Sequence, residues 1–247
     1  MKGKELNFCV AASGGGTTTM AAYEATKNGM LKNKAQMGLV IVSDIYAGII
    51  QKLAAAGFPK CDVIHIPWRL GADEVAHEIV RHCTKREINF LAQFGLTPTM
   101  PKAVVEYFEN GQMAINQHPE RPKEFGGRGM HGIIPHQALV NFSRAVGRYI
   151  PGVVVSQRLA VGLDEGTVLN FKIVDWDFHR DNAAAVQQKK LPFEHQTQIE
   201  TLFSFCEGVT REVTLDSVVQ PGEDQNLQLA RRFAIMTEEY PKWMRKQ

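Results

Sequence analysis

Short apolar runs alternate with stretches of helical spacing over the first half of the chain. Residues 6–12, 37–43, 63–66, 88–94 and 113–117 read as strands, and unbroken apolar runs of this length suit strands covered on both faces. Between them, residues 18–30, 45–56, 72–84 and 101–109 read as helices, with Ile45, Ile49 and Leu53, and Val75, Ile79 and Cys83, at four-residue spacing. Such alternation predicts right-handed crossovers and a doubly wound, mostly parallel α/β sheet.

The pattern changes after Gln117. Residues 120–132 are rich in Gly, Pro and charge, continue neither period, and are expected to form a long loop with a charged rim. A helix is predicted over 134–146, strands over 153–161 and 167–174, and a helix over 181–205. The turn Leu163-Asp-Glu-Gly166 joins the two strands, so the second half is expected to carry an antiparallel hairpin. The tail reads as a strand at Glu212-Val-Thr-Leu215 and an amphipathic helix around 227–236. The expected division is a domain over 1–205, with halves at about 1–112 and 113–205, and an extension over 206–247 packed on it.

Composition narrows the function classes. A chain of 247 residues, 44% hydrophobic and 22% charged, can bury one sizeable core with a small appendage. Lys plus Arg is 28 against 26 for Asp plus Glu, and the basic residues are scattered, so a nucleic-acid partner is not expected. Cys9, Cys61, Cys83 and Cys206 include no Cys-x-x-Cys pair and read as reduced packing residues. No apolar stretch approaches the roughly 20 residues of a membrane helix. The N-terminus lacks a signal peptide's long apolar core, so a cytoplasmic protein is expected, as a monomer or homodimer.

Three places carry candidate chemistry. Ser13, Gly14, Gly15, Gly16, Thr17 and Thr18 follow the first strand and open a helix, an arrangement in which backbone N–H groups and hydroxyls can cradle a phosphate. Neither the nucleoside-triphosphate loop nor the Gly-x-Gly-x-x-Gly pattern is present, and a Gly-rich first turn also serves plain strand–helix packing. Asn116 and His118 lie at the end of the fifth strand, two apart and therefore on one side of it. An amide beside an imidazole can hold an oxygen as negative charge develops and carry a proton, although both residues also suit a strand end before Pro119. Asp164 sits in a turn where Asp often serves only an Asx bond. Were the hairpin to fold over the strand ends, its carboxylate would orient His118, raise its pKa and pass protons through a water. No histidine pair has a zinc spacing, so no metal is expected, and Trp68, Trp176 and Trp243 read as packing or rim residues.

The order of motifs adds to this reading. Ser13-Gly-Gly-Gly-Thr-Thr18, Val42-Ser-Asp44 with Ala47-Gly48, Pro67-Trp-Arg69, Leu91-Ala-Gln-Phe94, Asn116-Gln-His-Pro119, Gly129-Met-His131, His136-Gln-Ala-Leu139, Leu163-Asp-Glu-Gly166 and Glu194-His195 form a series that resembles the folate-dependent formyltransferases over about residues 6–200. The resemblance implies a Rossmann-like formyltransferase fold and transfer of a formyl group from 10-formyltetrahydrofolate to a primary amine. Asn116 would hold the formyl oxygen, His118 would stabilise its charge and assist proton transfer, and Asp164 would relay protons through water. It further implies that Ser13 to Thr18 hold a substrate phosphate, that Arg69 and Glu194 contact the amine substrate, and that Phe94, Gly95, Leu96 and Thr97 hold the pterin. The implied acceptor is glycinamide ribonucleotide of purine synthesis. An amino sugar nucleotide, water (a formyltetrahydrofolate hydrolase) and a non-catalytic folate- or nucleotide-binding module are the alternatives. The chain departs from the family pattern in the phosphate loop, which lacks two amides, at Gln93 where the family has Gly, in the charged run Glu120-Arg-Pro-Lys123, and in an insertion between His131 and His136.

Overall fold

Apolar runs become strands here because both faces of the sheet are covered. In a computed structural model of the protein, which describes residues 5–244 with side chains to residue 238, five parallel strands form: β1 (Leu6–Ala12), β2 (Ala35–Val42), β3 (Val63–His65), β4 (Phe90–Gln93) and β5 (Ala114–His118). The predicted hairpin supplies β6 (Gly152–Arg158), antiparallel to β5, and β7 (Val168–Val174), antiparallel to β6. The sheet order is β3-β2-β1-β4-β5-β6-β7. The winding therefore reverses between β1 and β4, and the loops leaving their carboxyl ends diverge to open a crevice.

Alternate residues of each strand feed opposite layers. Phe8, Val10, Val40 and Phe90 pack with Ala22 of α1 (Thr17–Asn28), Leu53 of α2 (Ile49–Ala55) and Leu202 of α7 (Ala183–Glu207). Cys9, Ala11, Leu39 and Leu91 face α3 (Ala72–Lys85) and α4 (Lys102–Tyr107) through Val75, Ile79, Cys83 and Val104. A third cluster joins Phe125 of α5 (Pro122–Phe125) and Phe142 of α6 (Ile134–Ala145) to Ala230 and Ala234 of α8 (Asp224–Met244). The tail helix is thereby seated beside the hairpin end of the sheet, and Arg231 donates to the Gly126 carbonyl at 2.6 Å. Trp176 is buried and donates to the Ile150 carbonyl, whereas Trp243 lies outside the described side chains.

Several expectations are corrected. Helix α2 begins at Ile49 rather than at Ile45, because Asp44 turns the chain first, its side chain accepting from the Tyr46 N–H at 2.9 Å and its carbonyl from Ala47 at 3.1 Å. Cys61 is exposed rather than packed. Residues 212–215 form no strand; Val213 makes a single ladder-like bond to the Val168 carbonyl at 2.8 Å, while the Glu212 side chain is taken up by Thr167 and Arg158. The 120–132 segment contains the short α5, with Pro122 in its first turn. Of its charges, Glu120, Arg121 and Glu124 are buried rather than part of a solvated rim, whereas Lys123 and Arg128 are exposed.

Candidate active site

The carboxyl ends of β1, β4 and β5 open into a cavity of about 540 Å³, lined by Ser13, Gly14, Gln93, residues 95–99, 116–119 and 127–132, His136, Leu163, Asp164, Gln187 and Glu194. Its chemical corner is built from two chain segments. Strand β5 presents Asn116 and His118 on one side, and the hairpin between β6 and β7 brings Asp164 over them. Asp164 has φ +58°, a left-handed conformation that Asp tolerates better than most residues. Its Oδ1 accepts from Asn116 Nδ2 at 3.1 Å and Gln157 Nε2 at 3.2 Å, and its Oδ2 accepts from the Gly127 N–H at 2.8 Å. The turn fits so closely that a Cβ at Gly126 would lie 2.9 Å from Asp164 Cβ.

These bonds fix the Asn116 amide. Gln93 Nε2 donates to Asn116 Oδ1 at 3.1 Å, so the amide nitrogen faces Asp164 and keeps a second N–H for the cavity. Gln157 reaches the same carboxylate from β6, where it is the register partner of Asn116. Neither glutamine was singled out as a site residue from sequence; Gln93 showed only as a departure from the family pattern, and Gln157 carried no signal beyond its place in a predicted strand.

His118 Nε2 lies 3.6 Å from Asp164 Oδ2 and has no hydrogen-bond partner, while Nδ1 lies 2.8 Å from the Glu120 carbonyl and 3.2 Å from the Glu120 N–H. The shorter contact decides the tautomer. A lone pair on Nδ1 would oppose the carbonyl oxygen at 2.8 Å, so Nδ1 carries the proton and the Nε2 lone pair faces the cavity. Burial pulls the His118 pKa down to about 4; Asp164 opposes this, and Lys190 and Arg231 add to it. The carboxylate therefore acts in the expected direction, but desolvation wins and the imidazole is neutral at pH 7.

Glu194 enters from α7 and accepts from Gln117 at 3.0 Å; burial raises its pKa to about 7 against the opposing effects of Lys190 and Gln117. The glycine loop is more open. Ser13 Oγ sits 2.6 Å from Ser43 Oγ and accepts from the Thr97 N–H at 2.8 Å, which ties the loop to the segment after β4. Gly16, at φ +62°, starts α1, and a Cβ there would press on Ile49. Lys52 of α2 donates to the Gly15 carbonyl at 2.7 Å, a cation against the loop that sequence reading did not pick out. Gly15, Gly16, Thr17 and Thr18 lie outside the cavity lining, and Thr18 is buried. Gly95, Leu96 and Thr97 line the cavity, whereas Phe94 belongs to the core. Arg69 is exposed on a turn after β3 and is not among the lining residues. A second cavity of about 680 Å³ lies beyond Asp164, between the hairpin turn and residues 212–215; neither Asn116 nor His118 lines it. Among the described residues no group of three or more metal-ligating side chains occurs, and no helix is long and apolar enough to cross a membrane.

Comparison with known proteins gives this geometry a context. A chloroplastic phosphoribosylglycinamide formyltransferase of Vigna unguiculata is 26% identical over 208 residues, covering 83% of this chain; the chain spans 62% of that relative's length. The solved phosphoribosylglycinamide formyltransferase of Bacillus halodurans superposes with a TM-score of 0.67 at 18% identity, over 81% of this chain and 94% of the other. It has the formyltransferase fold. A formyltetrahydrofolate deformylase of Pseudomonas syringae shares this formyltransferase fold with a TM-score of 0.67 at 14% identity, over 87% of this chain and 65% of the other. No protein-family profile matches the chain. On this formyltransferase fold, the crevice beside the strand-order reversal holds the corner of amide, imidazole and carboxylate.

Proposed function

We propose that the protein transfers a formyl group from 10-formyltetrahydrofolate to the primary amine of glycinamide ribonucleotide, a step of purine synthesis, at Asn116, His118 and Asp164. The observation that carries this reading is the convergence of those three side chains on one cavity wall, from two segments 48 positions apart in the case of Asn116 and Asp164. The amine nitrogen attacks the formyl carbon, and the carbonyl oxygen takes the negative charge. The second Asn116 N–H, held in place by Gln93, donates to that oxygen as the charge develops. The neutral His118 accepts the amine proton at Nε2 and becomes an imidazolium next to Asp164, which stabilises it. That proton passes to the folate nitrogen as the carbon–nitrogen bond breaks, releasing tetrahydrofolate and the formylated amine.

Glu194 would accept from the acceptor amine. The loop Ser13 to Thr18, with Lys52 beside it, would hold the phosphate, Arg69 would meet the outer part of the acceptor, and the backbone of residues 94–97 would hold the pterin. The catalytic unit would be residues 1–205, with 206–247 packed on it. The test is release of tetrahydrofolate, followed by absorbance, with glycinamide ribonucleotide as acceptor in the parent protein, His118→Ala and Asp164→Ala. Turnover in the parent and its loss in both variants supports the reading, and turnover that survives both substitutions rejects it. Turnover with an amino sugar nucleotide in place of glycinamide ribonucleotide would reassign the acceptor; release of formate without any amine would make the enzyme a hydrolase.

A further inference from the structure

Behind His118 lies a charged group that the reaction just described does not use. Glu120 and Lys190 are both fully buried and ion-paired. Lys190 also donates to the Pro119 carbonyl at 2.8 Å and the Val153 carbonyl at 3.1 Å, so its three ammonium protons have three acceptors. Glu120 Oε2 accepts from the Val153 N–H at 3.3 Å. Three elements are thus tied at one point: the turn after β5, strand β6, and helix α7. Gly152 makes room for the clamp, since a Cβ there would lie 2.5 Å from Lys190 Cε. An ion pair at such depth is weak evidence for stability, because desolvation offsets its attraction. Its position is more informative. The Glu120 carbonyl that binds His118 Nδ1 belongs to the clamped residue itself, and Lys190 stands one helical turn before Glu194.

We propose that Glu120 and Lys190 are positioning residues for His118: their buried pair locks the Pro119–Glu120 turn so that the Glu120 carbonyl holds the Nδ1 proton and Nε2 is left as the base facing the cavity. The inference rests on the assignment of His118 as the reacting imidazole. Without the clamp the turn relaxes, the Glu120 N–H, already 3.2 Å from Nδ1, competes with the carbonyl, and the proton moves to Nε2, where the ring can no longer accept one from the amine. The groups facing His118 are Asp164 from the hairpin, Glu120 in the turn, Lys190 and Glu194 from α7, His136 from α6, whose Nδ1 lies 3.8 Å from Glu120 Oε1, and Arg231 from α8. Of these, Lys190 is a cation that disfavours the imidazolium, so its removal favours it.

Nitrogen-15 NMR of histidine-labelled protein reads the tautomer and titration midpoint of His118 directly, without turnover. The variants are Lys190→Met and the charge-free pair Glu120→Gln with Lys190→Met, which leaves no uncompensated buried charge should the single variant fail to fold. In the parent, His118 is expected as the Nδ1–H tautomer. In both variants the Nε2–H form should appear, and in Lys190→Met the midpoint should rise. In the formyl-transfer assay the double variant should lose about 10- to 100-fold in kcat with KM for the amine within about twofold, the pattern of a displaced reacting group rather than a lost binding contact. A folded double variant with the parent's tautomer and kcat overturns the proposal. Parent protein that shows the expected tautomer and its loss in the variants, but no turnover with any acceptor, would leave the clamp standing and reject the catalytic reading instead.

Discussion

The glycine loop, which reaches the cavity only at Ser13 and Gly14, and the Asn116–His118–Asp164 corner are built on opposite plans. Gly14, Gly15 and Thr17 are exposed, and the loop offers backbone donors with one lysine leaning on it. At the corner Asn116 and His118 are almost wholly buried, and Asp164 accepts from three donors. On the proposed function the contrast has a physical reason. A phosphate carries its charge before, during and after the reaction, so binding it acts uniformly and an open site suffices. A formyl oxygen acquires charge only in the transition state, where fixed donors in a water-poor site act most strongly. The loop should therefore govern KM and the corner kcat.

The largest effect that would break this division is expected at the corner itself. His118→Ala and Asp164→Ala should each lower kcat by about 10²- to 10⁴-fold with little change in KM, read by steady-state kinetics. Asn116→Ala should cost about 10²- to 10³-fold, again in kcat. A loss confined to KM in these variants would remove the contrast.

The pH profile sharpens the comparison. With the His118 pKa at about 4, its titration lies below the working range, so the acid limb of kcat/KM should come from the acceptor amine and from Glu194, whose pKa is about 7. The parent limb should have a two-proton slope and Glu194→Gln a one-proton slope; equal slopes would take Glu194 out of the site.

Stability should follow the same buried groups. His118 at about 4 and His136 at about 3 are depressed below the ordinary 6.5, so on acidification the unfolded chain binds protons first and stability is lost as pH falls from about 6.5. Glu194 acts oppositely, the folded chain holding the extra proton between about 4.5 and 7. The two histidines should prevail below pH 5, lowering the urea midpoint by an amount equivalent to a few kcal/mol at about pH 4. A midpoint that holds steady down to pH 4 would contradict their burial as neutral rings.

The smallest effects belong to the open end. Lys52→Met should raise KM for the phosphate-bearing acceptor about two- to fivefold, as expected of an exposed charge, and leave kcat unchanged. Arg69→Ala, on a turn outside the cavity lining, should change KM less than Lys52→Met does. A larger effect at Arg69 would mean that the acceptor extends well beyond the cavity.

Much of the scaffold could be read directly from the chain. The β1 run 6–12 matches its strand to the residue, and Asn116 and His118 had to share a side of β5 because strand side chains alternate. The start of α2 was misplaced by the Ile45-Ile49-Leu53 spacing, since the Asx turn at Asp44 competes locally with the first helical turn. The strand expected at 212–215 failed because a strand needs a partner edge, and this segment makes one bond to β7.

By itself, then, the sequence determined the alternation of strands and helices, the antiparallel hairpin and the residues able to do chemistry, because those depend on periodicity and side-chain type within a few positions. Only the tertiary structure decided which donors surround Asp164, that Glu120 is paired with Lys190 in the interior rather than part of a rim, and that His118 is neutral. Those properties depend on desolvation and on ångström-scale distances between segments tens of residues apart, which packing fixes and local pattern does not record.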